Sequence, residues 1–99
     1  MITQDAPERN ADQFHLLLFV SGATPRSTRA VAAVRRLCEN HLADRCQFEV
    51  IDVFRNPLAA QEHQIVALPT LLKLAPTPKR MFVGDMSDLA PLAAGLGLT

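Results

Sequence analysis

From Phe14 onward, apolar runs alternate with stretches of proline, glycine and charge, and the spacing inside each run predicts its structure. Residues 1–13 stand outside this pattern. They are polar, carry Pro7 and the charges Asp5, Glu8, Arg9 and Asp12, and are expected to form a flexible tail before a single domain over 14–99. Phe14 to Ser21 is an unbroken apolar run closed by Gly22, which suits a strand covered on both faces. Thr24-Pro25 then reads as a helix start, because a threonine hydroxyl can accept from an early amide and proline at the first helical position wastes no hydrogen bond. From Arg26 to about Ala43, the positions Ala30, Val34, Leu37, Cys38 and Leu42 keep helical spacing. Cys46 to Phe54 is strand-like: Phe48, Val50 and less strictly Val53 alternate with Glu49 and Asp52. Ile51 breaks the alternation in the manner of a strand covered on both sides.

Asn56-Pro57 starts a turn, and Leu58 to Ile65 is a short, weakly helical stretch without a strong cap. Leu71 to Leu74 predicts a third strand and Arg80 to Val83 a fourth, joined by Ala75-Pro76-Thr77-Pro78 and ended by Gly84-Asp85. Ser87 is placed to cap a last helix in which Leu89, Leu92, Ala93 and Leu96 recur at helical spacing, with Gly95 and Gly97 weakening its end. The order β-α-β-α-β-β-α, with the first strand pair parallel and the last antiparallel, is that of an α/β thioredoxin-like fold with a mixed sheet. Val66-Ala67-Leu68-Pro69-Thr70-Leu71 matches the cis-proline loop of that fold, proline being the residue at which a cis bond is cheap.

Composition narrows the chemistry. At 99 residues there is room for one core, and ten basic residues balance ten acidic ones, so a general polyanion binder is not indicated. Without Trp or Tyr, a base-stacking surface for nucleic acid is not expected. The longest apolar run, Leu16 to Val20, is too short to span a bilayer, and no secretory signal opens the chain; the expectation is a cytoplasmic protein without membrane contact. Where a thioredoxin carries C-x-x-C, this chain has Thr24-Pro25-Arg26-Ser27, whose hydroxyls cannot form a disulfide.

Cys38 and Cys46 are too few for a disulfide framework, and their C-x7-C spacing fits no redox dithiol. With His41 they offer three ligands where structural zinc needs four, so they are read as a buried helix thiol and a strand-start thiol. His15, His41 and His63 fall in different elements, and His15 is read as a solvated strand-end imidazole. Asp85 and Asp88 are too few for a calcium loop, and no phosphate-binding glycine motif occurs. No catalytic residue, metal or cofactor is therefore assigned. The densest charge feature is Arg26, Arg29, Arg35 and Arg36, a solvated helix face or a partner contact.

The segments Phe19-Val20-Ser21-Gly22-Ala23-Thr24-Pro25-Arg26-Ser27-Thr28-Arg29-Ala30, Val50-Ile51-Asp52-Val53, Asn56-Pro57-Leu58-Ala59, Ala67-Leu68-Pro69-Thr70-Leu71 and Val83-Gly84-Asp85-Met86-Ser87-Asp88 together resemble the KaiB family of bacterial clock proteins. The resemblance spans about Phe14 to Leu98. It implies a non-enzymatic regulator that docks on KaiC, a hexameric RecA-like ATPase, with a KaiA-like protein or a clock histidine kinase as further partners. It also implies metamorphism, in which a thioredoxin-like form binds KaiC and a different resting form, dimeric or tetrameric, refolds the chain from about Phe54 onward. Arg29, Lys79 and Arg80 are the partner-binding residues it implies. Thr24, Pro25, Pro69, Gly84 and Gly97 are expected to set the fold.

Several positions depart from the family pattern. Glu49 and Gln64 replace lysines, Met81 follows the basic pair, Gly97 stands where Asp is usual, and the acidic C-terminal tail is missing. These changes imply a partner with an altered surface, or a branch acting in stress or light signalling. A thiol-dependent enzyme using Cys38 or Cys46 on a thioredoxin scaffold is the alternative.

Overall fold

The computed structural model describes residues 13–84, 86 and 88–98; the expected N-terminal tail and the Ser87 cap lie outside the described residues. Four strands form one mixed sheet in the order β2-β1-β3-β4: β1 is Phe14–Val20, β2 Cys46–Asp52, β3 Thr70–Ala75 and β4 Arg80–Val83. β1 runs parallel to β2, with Leu16 opposite Phe48, and antiparallel to β3, with Leu17 opposite Leu72. β4 closes the sheet antiparallel to β3.

The central position of β1 explains its unbroken apolar run, since a strand paired on both sides and covered on both faces has no polar face to show. Phe14, Leu16, Leu18 and Val20 pack with Ala30, Val34 and Leu37 of α1 (Pro25–Leu37) and with Leu92, Ala93 and Leu96 around α3 (Leu89–Gly95). Leu17 and Phe19 turn to the other face, where Leu72 and the partly buried Ile51, Ala59 and Ala60 meet them beneath α2 (Pro57–Glu62).

Three element readings change. β2 was expected to be covered on both faces, but it is an edge strand, and Val50 is 41% exposed. Its broken alternation arises because Ile51 serves the α2 face while Phe48 serves the α1 face. Second, α3 is capped by Asp88, whose Oδ1 accepts from the Ala90 N–H at 3.3 Å. Third, Gly95 admits a neighbour. A Cβ there would lie 2.5 Å from Cε2 of Phe82, so the missing side chain lets the helix approach the β4 ring.

Gly97 finishes α3. Its N–H bonds the Ala94 carbonyl at 3.0 Å and the Leu98 N–H bonds the Ala93 carbonyl at 2.9 Å, with Gly97 at φ 79°. That is a Schellman ending, which satisfies two carbonyls a helix otherwise leaves open. Residues 94–98 thus terminate a helix and pair with none of the described strands. The Leu68–Pro69 bond is cis, as are Ala75–Pro76 and Thr77–Pro78.

Candidate functional site

In a thioredoxin-like scaffold the chemistry sits at the N-terminus of the helix that follows β1. Here Thr24 Oγ1 accepts from the Ser27 N–H at 3.2 Å and donates to Ser27 Oγ at 2.9 Å. The buried Ser27 Oγ also accepts from the Ser21 N–H at 3.2 Å. Both hydroxyls are therefore spent on ordering the loop, and Pro25 occupies the first helical turn. Asp52, at the end of β2, braces the same loop: its Oδ1 accepts from the Gly22 N–H at 3.2 Å and the Phe54 N–H at 2.9 Å. Such an array holds a shape and has no thiol to activate. Beside it a shallow groove of about 640 Å³ runs between α1 and β2, lined by Ala23, Val31, Arg35, Val50, Asp52 and Arg55 among others.

The cations assigned from sequence occupy two places. Arg29 is exposed on α1 and shares a hollow with Ala32, Ala33, Arg36 and Leu89. Lys79 and Arg80 are exposed at the start of β4 and line a separate hollow with Glu62, His63, Gln64 and Met81. The Arg80 guanidinium lies 5.7 Å from the centre of the Phe82 ring, and that of Arg35 5.9 Å from Phe48. The two hollows share no residue. Of the residues expected to set the fold, Thr24 and Pro25 begin α1, Pro69 precedes β3, Gly84 follows β4 at φ 107°, and Gly97 ends α3.

Sequence reasoning did not single out the exposed apolar side chains. Val66 is 93% exposed, Phe54 75% and Leu58 69%, and Met81 and Val83 on the edge strand β4 are also exposed. An alternation pattern marks which residues are apolar, and only the sheet order shows which lack a covering layer.

His15 sits at the start of β1 and stays partly exposed, as expected; its Nε2 lies 2.7 Å from Glu49 Oε2 across the β1–β2 pair, and Gln47 Nε2 donates to the same oxygen at 3.2 Å. His41 sits in a π-helical turn (Cys38–Leu42) and His63 packs against Phe19, so the three histidines stay apart. Among the described residues, no group of three or more His, Cys, Asp or Glu side chains is placed to hold a metal ion.

The cysteines require a correction. Cys38 is buried at the end of α1 and Cys46 begins β2, as expected, yet their Sγ atoms lie 3.0 Å apart. The spacing conceals this because the chain reverses tightly between them. The Cys38 thiol is pushed up by its hydrogen bond to Cys46 and by burial, while that same bond lowers the Cys46 thiol against the effect of its own burial.

The sheet, the helix placement and the loop at Pro69 define a thioredoxin-like protein whose redox position holds hydroxyls. Solved structures agree on the fold. Chloroplastic thioredoxin z superposes with a TM-score of 0.72 at 20% identity, covering 97% of this chain and 88% of that one. The N-terminal domain of Synechococcus elongatus SasA superposes at 0.69 with 24% identity, covering 88% and 86%. Sequence comparison goes further, because the KaiB domain profile matches residues 17–98, and the chain belongs to the KaiB family. The circadian clock oscillator protein KaiB of Prochlorococcus marinus strain MIT 9303 is 43% identical over 83 residues, covering 84% of this chain and 70% of that protein. The circadian clock protein KaiB3 of Synechocystis sp. is 37% identical over 83 residues, 84% of this chain and 81% of its own. No helix among the described residues is long and apolar enough to cross a membrane.

Proposed function

We propose that this chain is a non-enzymatic, cytoplasmic clock-type regulator that binds a KaiC-like RecA-type ATPase and modulates its phosphorylation or ATPase cycle. The observation that carries the reading is the family match over residues 17–98, shared with relatives named as circadian clock proteins. The hydroxyl-filled loop at Thr24 and Ser27 supports it, since the scaffold keeps its architecture where redox chemistry would require thiols. Exposed Arg29, Lys79 and Arg80, together with uncovered Phe54, Leu58 and Val66, offer both charge and apolar area to a partner. A KaiA-like protein or a clock histidine kinase is the further partner, and a homo-oligomeric resting form belongs to the same reading.

Titration against the KaiC-type ATPase of the same organism tests it, in ATP and in ADP. Truncating one side of a desolvated charge pair costs about 2 kcal/mol or more, roughly thirty-fold in affinity. Arg29→Ala and Arg80→Ala are expected to weaken binding on that scale. Unchanged affinity in both variants would reject these residues, and absence of binding in every nucleotide state would reject the function. The contact between the two thiols keeps a thiol-dependent enzyme as a second reading. Replacing both cysteines separates the two, because a docking function survives the change and a thiol chemistry does not.

A further inference from the structure

The Cys38–Cys46 contact lies at the far end of α1 from the Thr24 loop, roughly 20 Å along the helix at 1.5 Å per residue. It is built by an unusual backbone. After α1 the chain widens into the π-helical turn, where the Ala43 N–H bonds the Cys38 carbonyl at 2.9 Å. Single π turns of this kind are rare. Ala43 then takes φ 46°, a region that side chains seldom adopt, and the Arg45 N–H closes the reversal onto the Leu42 carbonyl at 2.6 Å. A further bond from the Phe14 N–H to the Arg45 carbonyl, 2.7 Å, locks the start of β2 beside β1. The outcome is two sulfurs 3.0 Å apart, about 1 Å from the length of a disulfide bond.

The two thiols are not equivalent. Cys46 is partly exposed, whereas Cys38 packs within the α1 core. We propose that Cys38 and Cys46 form an oxidisable dithiol, a modification site for a small-molecule disulfide of the glutathione class, in which Cys46 reacts first and Cys38 resolves. The Cys46 thiolate attacks one sulfur of oxidised glutathione; the glutathione S–S bond breaks, a mixed disulfide forms and one glutathione leaves as thiolate. That thiolate takes the proton from the Cys38 thiol. The Cys38 sulfur then displaces the second glutathione, closing the Cys38–Cys46 bond. Two protein thiols lose two electrons and two protons, and one oxidised glutathione becomes two reduced ones. The hydrogen bond from Cys38 favours the Cys46 thiolate, which sets this order. The product staples the end of α1 to the start of β2. It is a stoichiometric modification of this chain, separate from ATPase docking and from turnover of other proteins' disulfides.

The test uses the reduced full chain, exposed to oxidised glutathione, quenched in acid and weighed intact. The wild type is expected to lose the mass of two hydrogens as a monomer. Trypsin, cutting after Arg36, Arg45 and Arg55, should then release peptides 37–45 and 46–55 joined through their cysteines. Cys38→Ser should retain one glutathione on Cys46, with no resolving thiol to expel it, and Cys46→Ser should react at least ten-fold more slowly. The wild-type peptide linkage needs no variant to fold and decides the matter alone. A wild type that stays reduced, keeps glutathione attached, or links only between chains would overturn the proposal. So would a Cys38→Ser chain whose mixed disulfide is no longer-lived than that of the wild type.

Discussion

Single residues carry much of what distinguishes this chain from a generic sheet-and-helix domain. Gln64 adopts φ 58° just past α2, where its N–H bonds the Gln61 carbonyl at 3.1 Å and the Ile65 N–H bonds that of Ala60 at 2.9 Å. This is the hydrogen-bond pattern that ends α3, built with a side chain at the position glycine normally fills. A non-glycine residue there is strained by about 1–3 kcal/mol, against the roughly 0.4–1 kcal/mol that extra chain freedom costs a glycine. Gln64→Gly is therefore expected to stabilise the protein by about 1 kcal/mol, read as a shift in the urea midpoint at constant slope. A decrease would show that Gln64 makes a compensating contact. Gly97 is the converse case. Gly97→Asp should cost about 1 kcal/mol and fray α3, visible as faster amide exchange at positions 97 and 98. Pro25, Pro69 and Gly97 were legible in the sequence, because proline fixes φ and admits a cis bond and glycine alone takes a positive φ without strain. Gln64 was not, since nothing in its chemistry announces a positive φ.

At the scale of elements, the strands were readable to within a residue or two, and β4 was placed at its observed limits, Arg80–Val83. The helices were read too long: α1 stops at Leu37 and gives way to the π turn rather than running to Ala43, and α2 stops at Glu62, three residues before Ile65. Failures came where neighbours in space decide. The edge position of β2 follows from the sheet order, which no local pattern encodes, and the thiol contact depends on a π turn and a reversal that C-x7-C spacing hides. Gly95 shows the same dependence. Helix propensity alone predicts that Gly95→Ala gains about 1 kcal/mol, but its methyl would meet the Phe82 ring, and overpacking costs about 1–3 kcal/mol. The expected net effect is a loss, and it should be recovered on adding Phe82→Leu, which removes the opposing ring edge. A stabilising Gly95→Ala in the wild-type background would mean that Phe82 rotates away freely.

For the whole molecule, the account rests on which of two packings this sequence holds when free. Under the proposed function, the chain has a thioredoxin-like form that docks on the ATPase and a resting form, in which the segment around residues 94–98 is proposed to pair as a strand. Two such packings coexist only when they differ by a few kcal/mol, so local preferences of about 1 kcal/mol matter. Gly97 favours the helix ending seen here and weakens a strand by roughly 0.5–1 kcal/mol. Gly95 adds to the same bias, because a strand gains nothing from the space that Phe82 uses. On the proposed function, a free chain already in the thioredoxin-like form would bind a KaiC-like ATPase without refolding first. Backbone NMR chemical shifts of the free protein test this most directly. The account predicts helical shifts over Leu89–Gly95, an irregular Leu96–Leu98, and four strands paired in the order β2-β1-β3-β4. Strand shifts and cross-strand contacts at residues 94–98 would contradict it.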